Sequence, residues 1–225
     1  MLTVVSYCWG KKYDRSYVTK LAAGIRRHLA QPHRTALITD QPDLWGIFDE
    51  IWPLEHAWLT DIPGCYVRLM LFNLEWQARH NIALGHRVVC IDLDVVITGS
   101  LDPLFDRPEL FVILQGANTS NPCPYNGSIF MLRGGANPEV WSDFNIVAAR
   151  SAPFHSFPDD QGWMWNKMPD AAGWPVGPES GVYAFRKNKW PHDDVLPKDA
   201  RLVAFPGWRD PSKFGHLPWV EGCWR

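Results

Sequence analysis

The sequence predicts an α/β fold with a mainly parallel central sheet. Short apolar, β-branched runs alternate with amphipathic helical segments through the first half of the chain, the rhythm of βαβ units. One of those runs, Arg87–Ile91, leads straight into Asp92-Leu93-Asp94, as a buried strand does when it delivers polar groups to a sheet edge. With 225 residues, 46% of them apolar, the chain can bury a sizeable core without staples.

The elements follow in order. Leu2–Cys8 is a first strand. Asp14 can cap a helix from residue 15 to about 29, on which Tyr17, Val18, Leu21, Ala22, Ile25 and Leu29 recur at the helical period. Residues 35–39 and 50–52 read as further strands, and residues 67–80 as one helix rich in Leu, Met and Phe. Residues 111–114 and 128–132 read as strands around a polar loop from Gln115 to Gly127. Asn137-Pro138-Glu139 starts a helix running to about Ala149, with Asn as cap and Pro at the first helical position. Pro and Trp become dense from Pro153 onward, with short strands expected at 182–185 and 202–205. No linker interrupts the chain, so one domain over residues 1–225 with a loop-rich C-terminal part is expected.

Charge narrows the function. Twenty-two Lys and Arg against 24 Asp and Glu give a net charge of −2. That excludes a basic footprint for nucleic acid or anionic lipid, and a highly charged disordered chain. No apolar stretch reaches the roughly 18 residues of a membrane span. The five cysteines are odd in number and form no CxxC, so they read as reduced structural thiols. The first ten residues carry no basic leader, and a cytoplasmic location is expected.

Asp92 and Asp94 carry the chemistry. Side chains two apart on a strand share a face. Here they would emerge at the carboxyl end of a parallel strand, where open α/β sheets bind ligands. Two adjacent carboxylates repel unless a cation lies between them, and hard oxygen donors suit Mg²⁺ or Mn²⁺ bridging to phosphates. The alternative is that both merely cap the following loop.

Ile91-Asp92-Leu93-Asp94-Val95-Val96 followed by Gly99-Ser100-Leu101-Asp102-Pro103-Leu104-Phe105 resembles the D-x-D block of the GT-A nucleotide-sugar glycosyltransferases, and within them glycosyltransferase family 8. Tyr66-Val67-Arg68-Leu69 resembles the family's Y-x-R-L helix start, and Tyr125-Asn126-Gly127-Ser128-Ile129-Phe130-Met131-Leu132 its F-N-S-G-V-M-L-L strand. Asp159-Asp160-Gln161-Gly162 resembles its D-Q helix start, and Leu202-Val203-Ala204-Phe205-Pro206-Gly207 its V-H-F-x-G tail. The resemblance implies a GT-A fold, with a nucleotide-sugar-binding half (1–105) and an acceptor half and tail (106–225). It also implies transfer of a sugar from a nucleoside diphosphate donor, by resemblance UDP, to a glycan or other acceptor with retention of configuration.

On that resemblance Asp92 and Asp94 hold the metal and diphosphate. Arg68 adds fixed positive charge, its alternative being a surface ion pair. Ser6, Tyr7 and Tyr13 border the base, with core or lid packing as the alternative for the two tyrosines. Asn126 and Gln161 offer amides to sugar hydroxyls, although Asn126 equally suits a turn before Gly127. Asp160 is the carboxylate nearest the reacting sugar, unless it or Asp159 only caps the helix. Trp163 and Trp165 could stack on sugars or pack in the core. The tail departs from the family. Ala204 stands where the family has a metal-ligating His, and Asp210-Pro211 where it has the Lys-Pro of a phosphate-binding Lys. His216 is then the candidate third metal ligand. Gly207 and Arg209 are candidates on the donor side, with Lys213 as a second substitute for the missing Lys.

Two other readings compete. A haloacid-dehalogenase-type phosphatase also ends a strand in D-x-D, but it begins with that strand and needs a second acidic pair, for which only Asp193-Asp194 offers itself. A degenerate transferase that binds sugars without chemistry would share the missing tail His.

Overall fold

The computed structural model describes residues 1–117, 121–154 and 158–225. Its strands are β1 (Leu2–Cys8), β2 (His33–Thr39), β3 (Glu50–Pro53), β4 (Arg87–Ile91), β5 (Val95–Ile97), β6 (Phe111–Gln115), β7 (Tyr125–Arg133), β8 (Ala172–Pro175), β9 (Val182–Ala184) and β10 (Leu202–Ala204). Its α-helices are α1 (Arg15–His28), α2 (Leu74–Arg79), α3 (Asp102–Phe105), α4 (Glu139–Ser142), α5 (Ile146–Ser151), α6 (Asp160–Lys167) and α7 (Pro218–Cys223). Of the polar loop expected from Gln115 to Gly127, residues 118–120 lie outside the described residues.

The fold is α/β, as expected. Seven strands form the central sheet in the order β3-β2-β1-β4-β7-β6-β8. β1 pairs in parallel with β2 and β4, β2 with β3, and β6 with β8. Only β7 runs against its neighbours β4 and β6. Strands from both halves of the chain therefore share one sheet. A second sheet, β5-β10-β9, places β10 antiparallel to β5, with Ala204 opposite Val95.

Local chemistry explains most boundaries. Asp14 caps α1 as expected, accepting from the Ser16 amide at 2.8 Å, and Val18, Leu21, Ala22 and Ile25 are buried on the inner face. Two expected helices are each broken by an internal cap. A 3₁₀ helix, Tyr66–Phe72, replaces the first half of the helix expected at 67–80. Asn73 then turns its side chain onto the amides of Glu75 and Trp76 and starts α2. The expected helix 137–149 is likewise two helices, because Asn145 caps α5. Asn137 is no cap. Its φ is 49°, and its side chain donates to Glu139.

Apolar side chains pack on both faces of the central sheet. One face meets α1 and the smaller sheet through residues such as Leu21, Ile25, Val89, Ile91 and Ala204. The other meets the 3₁₀ helix and α6 through Tyr66, Leu69, Phe130, Trp163 and Met164. The switch in connection direction between β1 and β4 leaves a crevice beyond their carboxyl ends.

Candidate active site

That crevice is a cleft of ≈ 160 Å³. Tyr7 and Trp9 line it from the end of β1, Lys12 and Tyr13 from the next loop, Cys65 and Arg68 from the 3₁₀ helix, and Asp92 to Asp94 from the end of β4. Asp92 and Asp94 both line it, although β4 ends at Ile91 and neither lies on the strand whose alternation was expected to align them.

Arg68 organises the floor. Its side chain is only 5% exposed, so it is not a surface ion pair. Nε and Nη2 grip the two Asp160 oxygens at 2.7 and 3.0 Å. Nη1 donates to Asp92 Oδ1 at 2.7 Å and to the Gly127 carbonyl at 2.8 Å. Four of the roughly five N–H donors of a guanidinium are thus used inside the protein. Arg68 can act on a diphosphate through its field, and it fixes Asp92 directly.

Asp160 is fully buried behind that fork. Burial pushes its carboxyl up, and the Arg68 charge opposes this. It is not among the residues that line the cleft, and both its oxygens accept from Arg68. The helix cap is Asp159, which accepts from the Gly162 amide at 2.7 Å. Gln161 is also engaged, accepting from the Gly127 amide at 3.0 Å and donating to Asp159 at 2.6 Å. It ties α6 to β7. Asn126 lies within β7 opposite Leu114 rather than in a turn, and its side chain accepts from the Ser128 amide at 3.0 Å.

Gly127 is a residue whose importance the sequence did not reveal. A Cβ there would stand 2.3 Å from Arg68 Nη2. Gly127→Ala should therefore displace the guanidinium and cost about 1–3 kcal/mol, measurable by urea unfolding. Gly64 is similarly constrained. Its φ is 116°, a Cβ would meet the Pro158 carbonyl at 2.7 Å, and its own carbonyl accepts from the Asp160 amide at 2.8 Å.

Asp94 is 16% exposed and Asp92 34%. The pair is more buried than a rim feature would be. Burial first, and then repulsion from Asp92, push the Asp94 carboxyl up to about 6, while the Tyr13 hydroxyl pulls it down. A raised carboxyl destabilises the fold above its folded value and not below the unfolded one. Without added metal, Asp94→Asn should thus gain about 1–3 kcal/mol at pH 8. The gain should shrink as pH falls through about 6 and vanish near the ordinary value of 3.8, as paired unfolding curves would show.

The donor set fits a hard divalent cation. Two carboxylates, Asp92 and Asp94, line the cleft and repel each other, with Lys12 3.9 Å from Asp94 and 69% exposed. The pair presents carboxylate oxygens to the cleft, the donor type that suits Mg²⁺ or Mn²⁺.

The remaining expected residues are spread more widely. Ser6 is fully buried and donates to the Ile91 carbonyl at 2.8 Å, joining β1 to β4 rather than facing the cleft. Tyr7 lines the cleft and packs edge-on to Trp9 at 6.1 Å. Trp163 is buried and donates to the Val140 carbonyl, and Trp165 packs edge-on to Phe154. Gly207 has φ 77°. Arg209 lies over the Trp208 ring at 5.2 Å, and Lys213 donates to the Trp208 carbonyl at 2.9 Å. His216 packs 6.2 Å from the Phe214 ring. Among the described residues, no three His, Cys, Asp or Glu side chains gather as a metal-ligand group, so His216 does not complete one with Asp92 and Asp94. Asp194 pairs with Arg186 on a separate cavity, so the acidic pair a dehalogenase-type phosphatase would need is not at this cleft.

No protein-family model matches the chain, and no curated protein matches it. Solved structures do. The galactosyltransferase LgtC, in complex with donor and acceptor sugar analogues, matches at TM-score 0.60 and 14% identity, over 98% of this chain and 96% of that one. The chain has the GT-A glycosyltransferase fold. The glycosyltransferase GlyE of Streptococcus pneumoniae TIGR4 shares it at TM-score 0.61 and 12% identity, over 94% of this chain and 56% of that one. The bifunctional glycosyltransferase WbbM shares it at TM-score 0.56 and 13% identity, with coverage of 98% and 50%. The chain thus spans about half the length of GlyE and WbbM and nearly all of LgtC. Among the described residues of this GT-A chain, no helix is long and apolar enough to cross a membrane.

Proposed function

We propose that the chain transfers a sugar from a nucleoside diphosphate donor to a saccharide or other acceptor, with a divalent cation held by Asp92 and Asp94. The supporting observation is the Arg68 guanidinium, which joins Asp92 to Asp160 across the floor of the cleft with Asp94 beside it. When bound, the cation would screen the charge growing on the departing diphosphate.

The chain's own groups would do the rest. Arg68, fixed by Asp160, holds Asp92 in place and supplies a buried positive field that needs no reorganisation. Lys12 is an exposed ammonium at the mouth of the cleft, able to meet phosphate oxygens as a point charge. Tyr7 and Trp9 offer ring faces along one wall. Asp160 and Gln161 serve the site by positioning Arg68 and the start of β7. A donor half at residues 1–105 and an acceptor half at 106–225 belong to this reading. The family 8 assignment, the uridine base and retention of configuration enter it from the sequence resemblance.

The test is a panel of nucleotide sugars incubated with the protein and Mn²⁺ or Mg²⁺, followed by release of nucleoside diphosphate. Metal-dependent release with at least one donor is expected. Hydrolysis of an aryl phosphate without sugar-nucleotide turnover would instead support the phosphatase. Silence in both assays, with sugar binding retained, would support a non-catalytic binding domain.

A further inference from the structure

We propose that Tyr13 is a positioning residue that fixes the Asp94 carboxylate for the cation, and that Tyr17 ties this arrangement to the C-terminal segment. The inference rests on the metal-assisted reading above. The Tyr13 hydroxyl donates to Asp94 Oδ2 at 2.6 Å, the short, strong range for a phenol on a carboxylate. Asp94 lies between β4 and β5, outside both ladders. Among the described residues, no other side chain hydrogen-bonds to its carboxylate, and Lys12 stands off at 3.9 Å. With Oδ2 engaged, the carboxylate plane is set and Oδ1 is left for a ligand.

Tyr13 is itself held from two sides. Its carbonyl accepts from Cys8 Sγ at 3.8 Å, and its ring packs on the Tyr17 ring with centroids 4.9 Å apart. The Tyr17 hydroxyl donates to Asp210 Oδ1 at 2.7 Å, and its ring meets the Trp224 edge at 5.0 Å. Asp210 in turn caps the 3₁₀ turn Pro211–Phe214 through the Ser212 amide at 2.9 Å. The tail thus reaches Asp94 through two tyrosines in tilted ring contact. This chain lacks a His at position 204, and here the tail supports the acid from behind. Partners that orient a metal-binding carboxylate typically matter by about 10–100-fold in metal affinity.

The experiment measures Mn²⁺ affinity of the full chain by electron paramagnetic resonance of free Mn²⁺, with thermal unfolding in parallel, for wild type, Tyr13→Phe, Tyr17→Phe and Asp94→Asn. The expected result is about 10-fold weaker Mn²⁺ binding in Tyr13→Phe with an unfolding midpoint close to wild type, and a smaller loss in Tyr17→Phe, which keeps the bond to Asp94. Wild-type affinity in Tyr13→Phe would overturn the inference and leave the metal reading standing. If Tyr13→Phe fails to fold, Tyr17→Phe decides: a weakened affinity supports the coupling, and wild-type affinity overturns it. A wild type that binds no Mn²⁺, or binds it no better than Asp94→Asn, overturns both the inference and the metal reading.

Discussion

Arg68→Met should lower the unfolding free energy by about 3–5 kcal/mol, because it leaves the Asp160 carboxylate buried without its counter-charge. The expected size follows from the geometry. Asp160 is fully buried, both its oxygens are gripped by one guanidinium, and Asp159 and Asp92 both push its carboxyl up. Asp160→Asn in the same background removes the stranded charge, so the double variant should recover much of the loss. Urea unfolding of the four proteins gives the coupling directly. Additive losses would mean that the fork contributes little as a unit. Sugar transfer should be lost in Arg68→Met and stay lost in the double variant, since the recovered stability does not restore the hold on Asp92.

Asp94→Asn should do the opposite to stability and also lower turnover. Asp94 is raised by its own burial and by Asp92, so removing its charge relieves the fold at neutral pH. The same change removes one of the two oxygen donors proposed for the cation. Loss of several kcal/mol of transition-state stabilisation corresponds to at least about 100-fold in kcat. A variant that is more stable and far less active identifies the acid as a functional group rather than a loop cap, because loss of a cap costs stability. Turnover within a few-fold of wild type would remove the metal role from Asp94.

What the sequence disclosed was chiefly what is local. The β1 and β4 boundaries and the Asp14 cap follow from β-branched runs and from a side chain acting two residues away. The D-x-D cleft was legible because a strand end and its two acids are contiguous. The sequence suggests one helix at 67–80 because Asn73 sits within an apolar period, yet its side chain bonds the amides ahead of it. The alternative of a surface ion pair for Arg68 fails because its burial depends on Gly127 and Asp160, 59 and 92 residues away. The resemblance sets Asp160 and Gln161 beside the sugar, and the long-range partners of each are invisible in the local sequence. Their partners, Arg68 and the Gly127 amide, come from other elements of the fold and leave neither side chain free. The sequence posed a choice between Asp159 and Asp160 as cap, which only the position of the Gly162 amide decides. In the tail, the resemblance offers His216 as the nearby substitute for the missing ligand, whereas the fold packs it against Phe214.

The central claim is that the negative excess around Asp92 and Asp94 is completed jointly by a cation and a diphosphate. Calorimetric titration of UDP into the chain with and without Mn²⁺, for wild type and Asp94→Asn, tests it most directly. The account predicts UDP binding at least about 10-fold tighter with Mn²⁺ in wild type and no such gain in Asp94→Asn. UDP affinity that ignores Mn²⁺, or a Mn²⁺ effect that survives in Asp94→Asn, would contradict it.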